Sequence, residues 1–142
     1  MRTSIHAWIP ALAFGVMIAA TSDAGAQPAE KYRLIWRGGF GEMTVIREAT
    51  ASKAPKPIVL GLWTRTDSGG CEARAFEDVA QRRYDGESLV ATMLVIDKDA
   101  KPTGPLFEAR FVGNSIYIDN APDYMLCTGL ASFSGRWSRS NP

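Results

Sequence analysis

The sequence contains almost no histidine, and this scarcity narrows the chemistry that the protein can perform. Its single histidine, His6, lies in an N-terminal segment that we expect to be removed, so the mature chain has no imidazole. Without an imidazole, a serine, cysteine or threonine nucleophile lacks its usual general base, and zinc sites built on two or three histidines lack their ligands. The sequence therefore favours binding over catalysis and predicts no metal site and no cofactor.

Cysteine is almost as scarce, with Cys71 and Cys127 as its two representatives. An even number of cysteines in an exported chain is typical of disulfide pairing, so we predict a disulfide between these two residues. The alternative is a pair of free thiols, one of them nucleophilic, although no histidine is present to activate it. Pairing also removes the sulfur ligands that a transition metal would prefer.

No hydrophobic run is long enough to span a membrane, and the longest run lies near the N-terminus. A positive start at Arg2, an apolar run at residues 7–20 and the small residues Ala24-Gly25-Ala26 are together typical of a secretory signal peptide. The run is shorter than the about 20 residues of a spanning helix, which makes a retained anchor or a buried helix the weaker alternative. We predict a signal peptide at residues 1–26, one domain at residues 27–142, a periplasmic or secreted location and no stable membrane anchor.

An excess of charge of one sign is also lacking. The whole chain carries a net charge of +1, and removal of Arg2 and Asp23 with the predicted signal leaves that balance unchanged. Proteins that bind nucleic acid or anionic membranes usually carry a clear positive excess. We therefore expect no nucleic-acid partner.

The mature chain is rich in apolar residues that recur with a period of two, which is typical of half-buried β-strands. Tyr32, Leu34 and Trp36 alternate with the residues between them, and the nearly continuous apolar run at residues 88–97 is expected to form a central strand. The predicted strands are 31–37, 43–47, 58–66, 88–97, 107–111, 115–119, 124–127 and 130–139. This pattern predicts a mainly β fold, a small antiparallel barrel or sandwich of about eight strands with one disulfide.

Turn residues separate these runs. We predict turns at Asp67-Ser68-Gly69-Gly70 and at residues 98–105, a two-residue hairpin at Gly113-Asn114 and an irregular loop at residues 49–57. The stretch at residues 71–86 is ambiguous between strand and helix. For it we predict a strand start with a possible helical turn.

Three short motifs resemble chemical sites but have simpler interpretations. Gly38-Gly39-Phe40-Gly41 resembles a phosphate loop, yet a β-prone run follows it instead of a helix, so we interpret it as a hairpin or bulge. Asp97 and Asp99 begin like a calcium loop, but the residues that follow lack the required ligand and glycine. Acidic pairs such as Glu77-Asp78 could serve a glycosidase, although we interpret them as solvated surface charge.

The residues best suited to binding are aromatic side chains and one turn. We expect most aromatic rings to lie in the core, with one or two exposed as a sugar platform or an interface anchor. Trp63 and Trp137 are the candidates. The turn Ser68-Gly69-Gly70, held at its base by Cys71, is the candidate for a rigid protruding loop, with an ordinary tight turn as the alternative.

The C-terminal sequence adds a family resemblance. Cys127-Thr128-Gly129-Leu130-Ala131-Ser132-Phe133-Ser134-Gly135-Arg136-Trp137-Ser138-Arg139 resembles the closing strand of small exported bacterial β proteins, including some assigned to lysozyme-inhibitor families. The resemblance implies a small antiparallel barrel that blocks a lysozyme cleft with a loop. Ser68 and Gly69 are the candidates for that loop.

Together these observations predict an exported, non-enzymatic binding protein whose partner is a protein, such as a lysozyme or another hydrolase, or a carbohydrate. One alternative is a carboxylate-based glycoside hydrolase acting on envelope carbohydrate, which two acids facing each other in a cleft would favour. The other is a structural envelope protein without a ligand, which a flat surface without an exposed aromatic cluster would favour.

Overall fold

The computed structural model of the chain describes residues 29–36, 38–47 and 55–140. The predicted signal peptide and most of the predicted loop at residues 49–57 lie outside these ranges. Among the described residues, no helix is both long enough and apolar enough to cross a membrane.

Nine β-strands dominate the described part of the chain. They are β1 (Glu30–Trp36), β2 (Gly39–Ile46), β3 (Val59–Thr66), β4 (Gly70–Glu77), β5 (Arg83–Asp85), β6 (Ser88–Ile96), β7 (Pro102–Val112), β8 (Ser115–Asp119) and β9 (Gly135–Arg139). Two short helical segments accompany them, a 3₁₀ turn at Val79–Gln81 and the one-turn helix α1 at Asp123–Leu126.

Eight of these strands form a closed antiparallel barrel. Strands β1 to β4 form one meander and β6 to β9 form a second, and the barrel closes where β4 pairs with β6 and where β1 pairs with β9. Strand β5 is an extra strand that pairs with the first residues of β6. The predicted mainly β fold of about eight antiparallel strands is confirmed, as a barrel and not a sandwich.

The interior of the barrel is filled with side chains. Because successive residues of a strand point to opposite faces, one phase of each strand supplies the core, as when buried Tyr32 and Leu34 alternate with exposed Lys31 and Arg33 in β1. The largest fully buried side chains are Trp137, Tyr32, Phe133 and Met43. An eight-stranded barrel has an interior of the size that such side chains fill.

Several local features of the structure lie at the residues where the sequence predicts them. The Gly113-Asn114 hairpin joins β7 to β8, the turn at residues 67–70 joins β3 to β4, and the glycine-rich motif at residues 38–41 belongs to the hairpin between β1 and β2. The run at residues 88–97 contains β6, which pairs with three other strands. The ambiguous stretch at residues 71–86 forms β4, then the 3₁₀ turn and β5.

The predicted turn at residues 98–105 is wrong in its second half, because β7 begins at Pro102. Proline is tolerated at the first residue of a strand. The turn is shorter than expected because the carboxylate of Asp97 accepts hydrogen bonds from the amides of Asp99 and Lys101, at 2.8 and 3.0 Å. These two bonds complete the reversal of the chain before Pro102, where β7 begins.

The predicted strands at residues 124–127 and 130–139 are also corrected. Helix α1 occupies the first range, and β9 begins only at Gly135. The intervening segment is held by a local side chain, because the carboxylate of Asp123 accepts a hydrogen bond from the amide of Phe133 at 3.0 Å. Side-chain bonds of this kind satisfy backbone groups that would otherwise form hydrogen bonds with a neighbouring strand.

One end of the barrel carries two ion pairs, Glu30–Arg47 and Glu77–Arg82, and we call it the ion-paired end. The interpretation of Glu77 as solvated charge is wrong, because this residue takes the inward phase of β4 and its side chain is 0% exposed. Its carboxylate accepts bonds from Arg82 at 2.5 and 2.9 Å and from the amide of Ile58 at 3.1 Å. The hydrogen bond to Glu77 raises the pKa of Arg82.

We predict that Glu77→Ala destabilises the protein by about 3 kcal/mol, because removal of one partner leaves a largely buried charge without compensation. The measurement is the midpoint of urea unfolding. Glu108→Ala is the matched control, since it breaks an ion pair with Arg83 that is about half exposed on both sides. Such surface pairs contribute little, so equal shifts in the two variants would contradict the assigned role of Glu77.

The second ion pair includes a buried tyrosine. Arg47 donates two hydrogen bonds to the carboxylate of Glu30, at 2.8 and 3.1 Å, and the hydroxyl of Tyr32 donates a third at 2.8 Å. Burial and the neighbouring carboxylate raise the pKa of Tyr32 to about 12. Burial alone would raise the pKa of Glu30, but the hydrogen bonds from Arg47 and Tyr32 outweigh it and lower that pKa.

The raised pKa of Tyr32 predicts a loss of stability in alkali. A group with a raised pKa stabilises the fold fully below its ordinary pKa of 10, and this contribution is lost as the pH rises towards 12. Tyr32→Phe should therefore flatten the fall in unfolding free energy between these two pH values, measured by urea unfolding. Tyr124→Phe, at an exposed position, should retain the slope of the parent, and an equally steep fall in Tyr32→Phe would refute the assignment.

Candidate functional site

The end of the barrel opposite the ion-paired end carries the disulfide. We call it the stapled end and define it by the turn at residues 66–70 and the loop at residues 127–130. Cys71 and Cys127 are joined there, with their Cα atoms 4.2 Å apart, which confirms the predicted disulfide. The cysteines are 56 residues apart in the chain, and closure of a loop of that length stabilises a fold by about 4 kcal/mol in the chain-entropy model.

Hydrogen bonds join the turn and the loop in addition to the disulfide. The amide of Gly70 donates to the hydroxyl of Thr128 at 3.1 Å, and the amide of Thr128 donates to the carbonyl of Gly70 at 2.9 Å. The amide of Leu130 donates to the hydroxyl of Ser68 at 3.2 Å. The predicted binding turn is therefore fixed along its length and lies against a neighbouring loop.

Two glycines permit this close approach. A Cβ atom on Gly69 would lie 2.2 Å from the carbonyl oxygen of Thr128, and one on Gly129 would lie 2.5 Å from the carbonyl oxygen of Ser68. Gly129 also has a φ of +64°, a conformation that glycine adopts most readily. Ser68 and Gly69, predicted as binding residues, thus have a structural role at this contact.

The outer surface of β1, β2 and β3 beside the stapled end is aromatic and exposed. Ile35, Phe40 and Arg65 are successive cross-strand partners, and Trp63 lies two residues before Arg65 on the same outer face. Phe40 meets Trp63 edge to face with ring centroids 5.4 Å apart, and the guanidinium of Arg65 lies over the Trp63 ring at 5.6 Å. Ile35 is 75% and Phe40 51% exposed. We call these four residues the Trp63 face.

A groove of about 560 Å³ adjoins the Trp63 face. Its walls come from the β3–β4 hairpin and from the segment around the second cysteine, with Trp63, Arg65, Glu72, Leu126 and Thr128 among the lining residues. Thr64, whose buried hydroxyl has no hydrogen-bond partner in the described part of the chain, also lines it. The groove therefore presents an aromatic ring, a cation and a carboxylate side by side, a combination suited to recognition.

Large apolar side chains are also exposed on the C-terminal side of the stapled end. Tyr124 is 87% and Leu130 is 85% exposed, and Met125 is more than half exposed. The hydrogen bond from Leu130 to Ser68 holds this residue next to the turn. Single exposed apolar residues are normal on a protein surface, and these three lie in α1 or in the loop that follows it.

Trp137, the second tryptophan among the binding candidates, lies in the core. It takes the inward phase of β9, is 0% exposed, and donates a hydrogen bond from Nε1 to the carbonyl of Phe133 at 3.1 Å. A ring of this size fills the centre of the barrel, so its prediction as a surface residue is corrected. Ala131 and Phe133 of the same C-terminal sequence are buried as well, and packing accounts for much of that motif.

The rival interpretation as a glycosidase needs two facing carboxylates. Glu108 and Asp119 are cross-strand partners on β7 and β8 and line a concavity of about 430 Å³. The hydrogen bonds from Arg83, at 2.6 and 3.3 Å, lower the pKa of Glu108. A lowered pKa suits the ionised carboxylate of a glycosidase pair and not its protonated acid. No group of three or more His, Cys, Asp or Glu side chains within the described ranges could hold a metal ion.

Comparison with known proteins leaves this geometry as the basis for a functional proposal. The chain matches no protein-family model, no curated protein and no solved structure.

Ile35, Phe40 and Arg65 are functional candidates that the sequence alone does not identify. The sequence contains one indication that Phe40 is exposed. Gly41 and Met43 take the buried phase of β2, so Phe40 is in the outward phase. That signal depends on extending β2 back to Gly39. The cross-strand register that brings the three residues into one row is not visible in any local pattern.

We predict that Gly69→Ala destabilises the protein and loosens the stapled end, because the new methyl group collides with the backbone of Thr128. The expected loss is about 1–3 kcal/mol, as for other overpacked sites, and amide hydrogen exchange at Gly70 and Thr128 should speed up. Gly61→Ala is the control, since a Cβ there meets no atom within 4 Å. Equal stability and equal exchange in the two variants would contradict the proposed contact.

Proposed function

We propose that the mature chain is an exported, non-enzymatic binding protein that docks on a protein partner through the Trp63 face and the stapled end. We propose further that the partner is a hydrolase, with lysozyme as the first example to test. The observation that carries the proposal is the contact of exposed Phe40 and Arg65 with the half-buried ring of Trp63, beside a turn that is fixed by a disulfide.

The filled interior supports the choice of an outer surface. Barrels that carry small ligands usually hold them in a central cavity, whereas Trp137, Phe133 and Tyr32 occupy the centre of this barrel. The groove beside Trp63 and the concavity beside Glu108 are lined by outward-facing residues together with a few buried ones, such as Thr64 and Phe107. A partner would therefore contact the outside of the barrel.

The composition of the Trp63 face is that of an interface centre. Tryptophan, tyrosine and arginine contribute most of the binding energy in protein complexes, and Trp63, Tyr124 and Arg65 are all found at or next to the stapled end. Arg65 is already placed over the Trp63 ring, and the turn is fixed by its bonds to Thr128. Both features reduce the entropy that is lost on docking.

The charge of Arg65 favours a partner with an acidic cleft. Glycoside hydrolases, lysozyme among them, cleave their substrates with a pair of carboxylates in a cleft. An exposed guanidinium with the hydroxyl of Ser68 nearby in the turn would complement such a pair. The C-terminal resemblance to lysozyme-inhibitor proteins points to the same class of partner, and the disulfide favours an oxidising compartment.

The two alternatives receive less support. In a glycoside hydrolase built on Glu108 and Asp119, Glu108 would be limited to the role of the ionised carboxylate, because its hydrogen bonds with Arg83 lower its pKa. A structural envelope protein without a ligand would not be expected to expose an aromatic cluster such as the Trp63 face.

We predict that the purified chain of residues 27–142 binds lysozyme and inhibits its muramidase activity. Trp63→Ala and Arg65→Ala should each raise the dissociation constant by about tenfold or more, the loss expected at an interface centre. The measurements are isothermal titration calorimetry and a cell-wall lysis assay. Tyr84→Ala, at an exposed aromatic residue of β5, is the control and should leave both readouts unchanged.

Three outcomes would change the proposal. A chain that neither binds lysozyme nor inhibits muramidase would contradict the choice of partner. Binding that is unchanged in Trp63→Ala and Arg65→Ala would contradict the choice of surface. Hydrolysis of envelope carbohydrate by the chain itself, abolished in Glu108→Gln, would favour the glycosidase.

A further inference from the structure

Two arginine side chains lean onto strand β8 from the strands on either side of it. Arg110 of β7 and Arg136 of β9 are both cross-strand partners of Tyr117, at outward positions. The guanidinium of Arg110 lies over the Tyr117 ring, 4.7 Å from its centroid. Arg136 donates a hydrogen bond from Nε to the hydroxyl of Ser115 at 3.2 Å. We call these four residues the arginine site.

The two guanidiniums have no acidic partner. Neither arginine makes an ion pair with any residue that the structure describes. The terminal nitrogens of Arg136 and the whole guanidinium of Arg110 also lack a hydrogen-bond acceptor within the described ranges. Ser115 and Tyr117 are two residues apart, about 7 Å along β8, so both cations lie over the same short stretch of strand. Like charges placed in this way repel each other until an anion binds between them.

The carboxylates of β7 and β8 lie to one side of this pair. Glu108 accepts two hydrogen bonds from Arg83, at 2.6 and 3.3 Å, and is therefore already paired. Asp119 is four residues beyond Ser115, about 13 Å along β8. The bond to Ser115 holds Arg136 on the side away from Asp119.

The outward row on the opposite side carries hydroxyls and a further cation. Its members on β7, β8, β9 and β1 are successive cross-strand partners: Val112, Ser115, Ser138 and Arg33. The first carboxylate of this row is Glu42 of β2, the partner of Arg33 and three strands away from β8. An anion at the arginine site would thus lie on a locally basic surface.

The chemistry of the arginine site suits phosphate. A guanidinium presents a planar fork of N–H donors that matches two oxygens of a carboxylate or of a phosphate. A carboxylate has only two oxygens and is satisfied by one fork, whereas a phosphate group has enough oxygens for two forks that approach from opposite sides. The Tyr117 ring and the Ser115 hydroxyl already hold the two side chains in place, which reduces the entropy lost on binding.

A concavity of about 430 Å³ adjoins the arginine site, and Arg110 and Tyr117 line both. Asp119 and Asn120 also line it, and their side-chain oxygens accept hydrogen bonds. Leu106, which is 53% exposed, adds apolar surface. A sugar ring presents hydroxyl donors and C–H groups that match this lining, whereas the charge of Asp119 disfavours a second phosphate there.

We propose that the arginine site binds the phosphate group of a phosphorylated sugar, whose ring lies in the adjoining concavity. The arginine site is built on β7, β8 and β9, whereas the Trp63 face is built on β1, β2 and β3. The proposal therefore adds a second ligand and does not depend on the proposed function.

Isothermal titration calorimetry of residues 27–142 at constant ionic strength tests the site, with glucose-1-phosphate, inorganic phosphate and glucose as probes. The sugar phosphate should bind more tightly than inorganic phosphate, and glucose should give no measurable heat. Arg110→Gln and Arg136→Gln should each raise the dissociation constant of the sugar phosphate about tenfold or more, because each removes a charged donor. Arg74→Gln is the matched control, since it removes an exposed arginine of β4 outside the site.

A variant of the concavity separates the sugar from the phosphate. Asp119→Ala should reduce the preference for the sugar phosphate over inorganic phosphate, because it removes an acceptor for sugar hydroxyls and leaves both arginines in place. Thermal unfolding of each variant shows that the barrel is retained.

Two sources supply the proposed group, a free sugar phosphate and the headgroup of a phosphorylated glycolipid. Co-sedimentation with vesicles that contain lipid A, whose headgroup is a phosphorylated sugar, distinguishes the second source from the first. Binding to either source that is weakened in both arginine variants and retained in Arg74→Gln supports the proposal.

The opposite results overturn it. Absence of binding to both glucose-1-phosphate and lipid A vesicles overturns the site as a whole. Equal binding by the parent chain and both arginine variants, or an equal loss in Arg74→Gln, overturns its location. Inorganic phosphate that binds as tightly as the sugar phosphate, or a preference that Asp119→Ala leaves unchanged, overturns the assignment of the sugar to the concavity.

Discussion

The contact between the turn at residues 66–70 and the loop at residues 127–130 is the constraint on which most of this structure depends. A disulfide, reciprocal hydrogen bonds and two glycines act on the same short stretch of backbone. From this contact the chain continues to Phe133 and Trp137, which fill the core. On the other side, Trp63 lies on the strand that leads into the turn. The same contact therefore fixes both the packing of the interior and the position of the aromatic surface.

The two ends of the barrel use charge in different ways. At the ion-paired end, buried Glu77 is paired with Arg82 and Glu30 is paired with Arg47, because an unpaired ion in a low-dielectric interior is strongly unfavourable. At the stapled end, Arg65 is solvated and its contact is an aromatic ring instead of a carboxylate. A cation in that position remains available to an incoming group. The ion-paired end thus buries paired charges, whereas the stapled end leaves a cation exposed.

The sequence predicts those features that depend on local pattern. The alternation of Tyr32, Leu34 and Trp36, the hairpin at Gly113-Asn114 and the pairing of the cysteines all follow from neighbours in the chain or from composition. Features that depend on contacts between residues distant in the chain cannot be predicted in this way. Glu77 reads as surface charge until Arg82 and the inward phase of β4 are known, because a charged residue at an inward position contradicts the usual pattern.

The same distinction applies to the candidate surfaces. Trp63 is identifiable as a binding candidate because tryptophan is enriched at interfaces, whereas Trp137 has the same side chain and is buried. Only the phase of the strand separates the two. The row that contains Phe40 and the two arginines beside Tyr117 arise from the register of several strands, and register is set by the whole barrel. The order of the strands has a consequence for biogenesis, since β1 pairs with β9. Each meander can begin to form locally, but the seam and the position of Trp137 both depend on β9, so the barrel is complete only once β9 has paired with β1.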